Sequence, residues 1–453
     1  MSENLNLSNY SQMQTLVEEA LCYAKEKGAS DATAEVSEDS GLNVNVRGLE
    51  AETIEYTHDR NFSVTVYIGK RSGSASSGDL KPEAIRRTVQ AALDIARYTS
   101  EDHYCGLPEV SALCSYPKDL NLYHPWNVSV DDAIDLCVQS ETSALNTDSR
   151  IVNSDGISLN STVGRFVLGN TKGFLSGYPY STHSIYASVI AKDKNGMQRD
   201  GWYSMDVVPQ KLCNARELGR IAAQRAVSKL SPQTISPRKC PVIFEAPVAK
   251  TLINTFNKAI AGSNLYHKSS FLLNKLYHPV MSDGLSLYEN PFVEACYGSA
   301  PFDEEGVSGS ERFIVKDGVL QNYYLNSYSA RKLNMETTGN AGGPYNVYLQ
   351  CQPQMLEPDL QSLIKRMHYG LLVTEVSGQG INLTNGDYSQ GASGFWIENG
   401  KIAYPVDGIT IAGNLRDIFL GVQAIAEDLD CNGSIVTGSI LVEEMTIAGN
   451  GSD

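Results

Sequence analysis

Seven histidines, nine cysteines and a few paired carboxylates are the side chains here that could bind a metal, attack a carbonyl or move a proton. A zinc hydrolase usually sets two histidines about one helical turn apart, with a glutamate between them to activate the metal-bound water. The histidines stand at 58, 103, 124, 183, 267, 278 and 368, and no two are four or five residues apart. None lies between His183 and His267, so the helical pattern over residues 247–260 offers no imidazole. The cysteines, at 22, 105, 114, 137, 213, 240, 296, 351 and 431, form no Cys-x-x-Cys pair. Their odd number and scatter point to reduced thiols rather than a disulfide frame or a zinc ribbon.

Nucleophiles fare no better. Gly391-Ala392-Ser393-Gly394 is one residue short of a nucleophile elbow, which makes Ser393 a turn residue at a strand start. Cys431 lies between Asp430 and Asn432 and has no adjacent basic residue to favour its thiolate. Residues 339–343 have the glycines of a phosphate cradle, but no Lys-Ser/Thr follows and Pro344 blocks a helix start, so they read as a loop. The acids of Asp303-Glu304-Glu305-Gly306 are expected in solvent, as adjacent carboxylates in a Gly-terminated turn usually are. Taken alone, these residues give neither a catalytic set nor a metal set.

The chain of 453 residues suits two or three domains. Its net charge of −16, from 36 basic and 52 acidic residues, argues against direct nucleic-acid binding, which draws its affinity from Lys and Arg on phosphates. Arg86-Arg87 and Lys365-Arg366 read as solvated helix faces. The N-terminal residues lack the basic-then-apolar order of a secretory signal, and no apolar run reaches membrane-spanning length. A cytoplasmic protein without a membrane segment is expected.

The elements that must position any site follow from periodicity. Met13, Leu16, Val17, Ala20, Leu21 and Ala24 recur at helical spacing, and Gly28 ends the pattern. Short half-buried strands are predicted at 34–36, 42–46, 53–56 and 62–67, and a Gly/Ser-rich strand at 70–77. Pro82 then opens a helix through Ile85, Val89, Ala92, Leu93 and Ala96. The plan repeats: Ser129 caps a helix over 130–145, strand-like runs fall at 151–152, 162–167, 173–175, 184–190 and 201–203, and a helix over 215–230 follows. Each unit, about 1–115 and 116–234, should be an α/β layer with helices over one sheet face. Residues 231–237, rich in proline and hydroxyls, separate the N-terminal region 1–234 from a C-terminal domain 235–453. In the latter only residues 247–260 and 356–368 look helical. The expected class is α+β: an N-terminal α/β layered region of two helix–antiparallel-meander–helix units, then a β-rich domain with a few helices.

Residues 385–414, NGDYSQGASGFWIENGKIAYPVDGITIAGN, are the most informative stretch. Phe395-Trp396-Ile397 leads into Asn399-Gly400, a pair suited to a type I′ turn because both central residues take positive φ. The return strand is expected to stop at Pro405, which cannot donate to a ladder. With this run, Ser299-Ala300-Pro301-Phe302-Asp303-Glu304-Glu305-Gly306-Val307, Ser327-Tyr328-Ser329-Ala330-Arg331-Lys332-Leu333 and Thr338-Gly339-Asn340-Ala341-Gly342-Gly343 occur in order. Leu372-Val373-Thr374-Glu375-Val376-Ser377-Gly378-Gln379-Gly380 and Met445-Thr446-Ile447-Ala448-Gly449 complete the set. Together they resemble the TldD/PmbA family over residues 240–453.

The resemblance implies a heterodimeric, cytoplasmic zinc peptidase that cleaves unfolded peptides, in peptide-antibiotic maturation and turnover of labile proteins. In that family the TldD-type subunit carries His-Glu-x-x-x-His on a helix after the first C-terminal strand and a cysteine ligand near its end; the PmbA or TldE type lacks these. This chain is similar to the second type. The three motif positions fall on Asn254, Thr255 and Ala259, and Cys431 lies near the sister's cysteine without its Cys-Gly-Lys surroundings. The resemblance thus implies no catalytic residue, no metal and no cofactor in this chain. Zinc would sit in a TldD-type partner bound as a heterodimer, with a homodimer when the chain is alone. Leu252, Ile253, Phe256 and Ile260 would form a core stripe. Exposed strand edges would hold extended peptide substrates by β-augmentation. Tyr388, Phe395 and Trp396 are candidates for the peptide groove or partner interface. Two other readings stay open: an active metallopeptidase homodimer with non-standard ligands, and a regulatory binding protein acting indirectly on DNA gyrase, a label carried by family members.

Overall fold

Backbone hydrogen bonding in the computed structural model, which describes residues 9–449, sorts the strands into three sheets. The first has six antiparallel strands: β1 (Asp31–Arg47), β2 (Glu50–Ile68), β3 (Arg71–Ser77), β4 (Ile151–Asn170), β5 (Leu175–Asp193) and β6 (Gly196–Asp206). Their order is β3-β2-β1-β4-β5-β6, and β1 pairs with β4 from Thr33 to Val46, so the two predicted units are halves of one sheet. The strands are also longer than the short runs expected from the sequence. Polar residues interrupt the apolar alternation but do not break the ladder, because each finds a neighbour on the adjacent strand. Glu38, 1% exposed, accepts from Arg60 Nε at 2.9 Å, and Ser40 Oγ meets His58 Nδ1 at 2.7 Å.

Four helices, α1 (Tyr10–Glu26), α2 (Pro82–Tyr98), α3 (Val130–Thr147) and α4 (Ala215–Ser228), cover this sheet. Ser129 caps α3 in a full capping box with Asp132, as its spacing suggests. Ala32, Ala34 and Val36 of β1 pack with α1 and α2, while Leu42, Val44 and Val46 pack with α3 and α4. All six are even-numbered, so all four helices lie on one face. The odd-numbered Glu35, Ser37 and Asp39 turn to the other face, which is polar and opens toward the rest of the chain.

The C-terminal region runs through β7 (Arg238–Phe244), α5 (Ala246–Ala259), α6 (Gly262–Tyr266), β8 (Leu285–Asn290), β9 (Arg312–Lys316), β10 (Val319–Leu320), α7 (Ser327–Leu333) and β11 (Asn346–Cys351). It continues with β12 (Leu356–Glu357), α8 (Leu360–Met367), β13 (Gly370–Ser377), β14 (Ile381–Asn382), β15 (Asp387–Glu398) and β16 (Lys401–Asn414). The last elements are α9 (Leu415–Leu420), β17 (Val422–Ala426), β18 (Ile435–Val436) and β19 (Ile440–Ala448). One sheet has the order β10-β9-β8-β11-β18. In the other, β7 pairs with both β13 and β19, so β7, β13, β15, β16 and β19 close into a ring. Side chains on one side of the ring, including Val242, Phe244 and Trp396, join the core under α5. Those on the other, including Ile243, Leu372 and Phe395, pack against Leu363 and Ile364 of α8. The fold is α+β, with a layered N-terminal region and a β-rich C-terminal part.

Two local expectations need correction. The helix expected over 356–368 begins only at Leu360: Pro358 forces extended backbone before it, so Leu356–Glu357 pairs with β17 and Asp359 caps the helix. Asn399 and Gly400 do take φ of 52° and 69° at the hairpin turn, but Pro405 does not end the return strand, which runs to Asn414. The Pro405 carbonyl accepts from Gln233 N at 2.8 Å, so its imide nitrogen also faces away from β15 and no ladder bond is lost.

Charged side chains join the two regions. Arg225 of α4 donates both terminal nitrogens to Glu245 at 2.7 and 2.9 Å, and its guanidinium sits 4.9 Å from the Trp202 ring centre. Lys229 bridges Asp200 at 3.0 Å and Glu375 at 2.9 Å. Because Arg225 and Glu245 are largely withdrawn from water, Arg225→Met should lower the unfolding free energy by about 3 kcal/mol in urea titrations. Adding Glu245→Gln should recover part of that loss; a single-variant cost of only a few tenths would mean that the pair contributes nothing to the joint.

Candidate functional site

Helix α5 follows β7 directly and buries Leu252, Ile253, Phe256 and Ile260, the stripe its sequence spacing suggests. That burial, roughly 1.5–3 kcal/mol for each large side chain, fixes which residues remain on the open face. Asn254 and Lys258 are exposed there. Thr255 is buried, and its hydroxyl is already donated to the Thr251 carbonyl at 2.8 Å; Ala259 is fully buried and has no donor atom. Asn254, Thr255 and Ala259 therefore do not fit zinc, which takes thiolate, imidazole or carboxylate ligands. Among the described residues no group of three His, Cys, Asp or Glu side chains could hold a metal ion.

The loop carrying Cys431 is fastened to α5 by an ammonium group. Lys250 Nζ lies 2.9 Å from Asp430 Oδ1 and also donates to the Asn432 carbonyl. On the other side, Tyr203 OH donates to Asp430 at 3.0 Å and Asn432 Oδ1 accepts from Met205 N at 2.8 Å. Burial and the Asp430 charge push the Cys431 thiol pKa up, with Lys250 opposing the shift. Burial lowers the Lys250 pKa, opposed by its bond to Asp430.

Beside α5 runs the loop 338–345, held from below by a buried carboxylate. Glu289, 0% exposed, accepts from Arg312 Nη2 at 2.8 Å, Asn340 Nδ2 at 3.0 Å and Tyr345 N at 3.0 Å. Arg312 also donates to the Thr338 carbonyl at 2.9 Å and to Asn340 Oδ1. Burial raises the Glu289 pKa, and Arg312 is the main influence pulling it back. A second carboxylate holds the loop from the side. Asp303 accepts from the backbone N–H groups of Glu305, Val307 and Ala341 at 2.8–2.9 Å. Only 5% exposed, Asp303 is not the solvated turn acid expected from the sequence: its carboxylate is the acceptor around which the turn closes. Gly342, at φ 96°, lets Glu304 pack against the loop, since a Cβ there would lie 2.7 Å from Glu304 Oε1.

The segment 342–344 of this loop is a common wall of two cavities. One, of about 460 Å³, lies between the polar face of the six-stranded sheet and the C-terminal region. Glu35, Asp39, Asp303 and Glu304 line it with the rings of Phe166, Tyr178 and Phe302, and no Lys or Arg is in its wall. Tyr180 OH donates to Asp39 Oδ1 at 2.5 Å. Glu35 is raised by burial first, then by the charges of Glu304 and Asp39. The other cavity, of about 420 Å³, is lined by Asn254, Asn257, Lys258, Tyr324, Tyr328 and Asn340 among others, with no carboxylate in its wall.

The aromatic candidates are corrected by the structure. Tyr388 (2% exposed), Trp396 (1%) and Phe395 (9%) are interior residues and line neither cavity nor an exposed interface. Strand β15 is covered on both faces, so alternation puts Trp396 in one core cluster and Phe395 and Ile397 in another. Of the three motif positions and the aromatic candidates, only Asn254 reaches the wall of either cavity, whereas Asp303, Glu304 and the loop 339–343, read from the sequence as a solvated turn and a loop, line them as well. Asn257 and Lys258 were missed, although their spacing from Asn254 places all three near one helix face. Glu35, Ser37 and Asp39 carried a signal too, polar residues at every second position of β1 beside the buried Ala34 and Val36.

Comparison with known proteins places this geometry. Profiles described as the PmbA/TldA metallopeptidase domain 1, central domain and C-terminal domain match residues 32–96, 123–230 and 237–449. The chain is 44% identical to the Metalloprotease PmbA of Escherichia coli O157:H7 over 98% of each. Among solved structures, a protein described as a modulator of DNA gyrase from Bacteroides thetaiotaomicron superposes with TM-score 0.91 at 26% identity, covering 96% of this chain and 98% of that one. TldE from Thermococcus kodakarensis shares the fold, with TM-score 0.82 at 20% identity over 96% and 100% of the two chains.

Asp303 offers a direct check on the loop anchor. Burial raises its pKa to about 7, from 3.8, with Glu305 adding to the shift against the three N–H donors. The folded state thus holds the proton more tightly than the unfolded chain, so stability should fall as pH rises from about 4 to 7. Relative to Asp303→Asn, wild type should lose on the order of 4 kcal/mol across that window in urea unfolding. A difference that stays flat with pH would mean that the N–H donors keep the carboxylate ionised.

Proposed function

The chain belongs to the PmbA/TldA metallopeptidase family, and we propose that it acts there as a metal-free, PmbA/TldE-type subunit of a cytoplasmic peptidase complex. A TldD-type partner would supply the zinc and the hydrolytic step; this chain would shape and occupy one side of the groove that takes unfolded peptides. The observation that carries the reading is the state of α5. Its three motif positions present an exposed amide, a hydroxyl already bonded to its own helix and a buried methyl group.

Other features support a binding role. The polar sheet face, the loop 338–345 and α5 border two adjacent cavities of a size that admits a few peptide residues. The C-terminal ring has no free edge along its closed strands, so β-augmentation cannot occur there. An edge is available on β2 instead: β3 pairs only with Phe62–Ile68, which leaves residues 50–61 with no strand on their outer side among the described residues. Ile54 and Tyr56 are exposed on that edge, 46% and 63%, and provide apolar contacts for an extended chain.

Reconstitution tests the role. The purified chain should not cleave an unfolded peptide, whereas the same chain mixed with a TldD-type subunit should do so. Cys431→Ser in this chain should leave the complex's activity within about twofold and Asn254→Ala should leave its zinc content unchanged, since neither side chain would be a ligand. Zinc-dependent cleavage by the isolated chain, abolished by either substitution, would favour an active homodimer with non-standard ligands.

A further inference from the structure

The cavity beside α5 contains a donor with nothing to donate to. Asn257 is 3% exposed and lines this cavity, yet among the described residues its Nδ2 has no hydrogen-bond partner and its Oδ1 has only a long 3.5 Å contact from Tyr324 OH. A buried polar group without a partner is unfavourable and uncommon in native proteins, so an acceptor is expected to reach it. One turn of the same helix also places Lys258 in the wall, where it is the only charged residue. No ion pair engages its ammonium among the described residues. In a chain of net charge −16, a cavity wall with a cation, several amides and hydroxyls and no carboxylate is a selective environment.

We propose that this cavity receives the terminal carboxylate of a peptide. The ligand class follows from the donors. An amide N–H and an ammonium suit an acceptor with two oxygens and a negative charge, whereas the wall's tyrosine hydroxyls are already engaged, Tyr328 on Asp102 at 2.6 Å and Tyr324 toward Asn257 Oδ1. A neutral main-chain carbonyl would satisfy Asn257 alone and leave Lys258 unused. Across the wall at 342–344 the neighbouring cavity has the opposite character, with Glu35, Asp39 and Glu304 and no cation. A carboxylate is repelled there, and a basic residue or chain-end ammonium is attracted. The two cavities therefore set the polarity of a bound peptide, its carboxylate end against α5 and the preceding residues passing toward the acidic side. This inference rests on the reading of the chain as one side of a peptide groove.

Fluorescence anisotropy on the full chain tests it with three labelled pentapeptides of one sequence. The first has a free C-terminus, the second an amidated one, and the third an amidated one with aspartate as its last residue. The free-terminus peptide should bind about tenfold tighter than the amidated one, the difference a charge-assisted contact confers. Lys258→Met, an exposed position where folding is not at stake, and Asn257→Asp should each remove that advantage. Equal affinity for free and amidated peptides in wild type would overturn the carboxylate pocket and leave the groove intact. Equal affinity for the free-terminus and terminal-aspartate peptides would keep the carboxylate chemistry but overturn its assignment to the chain end. No binding of any of the three, to the chain alone or in its complex, would overturn both the pocket and the groove.

Discussion

A single buried charge organises the region between the two halves of this protein. Glu289 has no contact with water, and a carboxylate so placed is tolerated only where donors surround it. Arg312, Asn340 and the Tyr345 amide meet that demand, and all three belong to, or reach into, the loop that divides the cavities. The requirement to satisfy Glu289 thus fixes the path of residues 338–345. Asp303 adds a lateral anchor through Ala341, and Arg331 ties α7 to the N-terminal region by donating to the carbonyls of Tyr104, Gly106 and Leu107. With the loop held at these points, the cavities on either side have a rigid common wall.

The same logic recurs where the family would place a metal. A metal ion joins a helix to a distant loop through ligands from both. In this chain Lys250 makes that connection, its ammonium on Asp430 and the Asn432 carbonyl, while Tyr203 and Met205 link the loop onward to the six-stranded sheet. A helix joined in this way needs no metal ligand to stay in place. Its side toward the neighbouring cavity carries Asn254, Asn257 and Lys258.

What the sequence made legible was local. The Asn399-Gly400 turn, the Ser129–Asp132 capping box and the apolar stripe of α5 each depend on residues within a turn or two of one another, and each is found as expected. What escaped was non-local. The strands were cut too short because Glu38 and Ser40 look like interruptions until their cross-strand partners Arg60 and His58 are known. Phe395 and Trp396 looked available because their sequence does not reveal that β15 is covered on both faces. Asp303 looked solvated because the N–H groups that enclose it include one from Ala341, nearly forty residues away. The site was legible only in part for the same reason. The degenerate motif at Asn254, Thr255 and Ala259 can be read on one helix, but the cavity that Asn254 borders is made with a loop and strands far along the chain.

The central claim, that this subunit shapes a peptide groove but contributes no metal site, is tested most directly by locating the metal. Crystals of the complex with a TldD-type partner, measured at the zinc absorption edge, give an anomalous map in which each zinc ion is a peak. The account predicts a peak at the partner's His-Glu-x-x-x-His helix and none beside α5 of this chain. A zinc peak within bonding distance of Asn254 or Cys431 would contradict it.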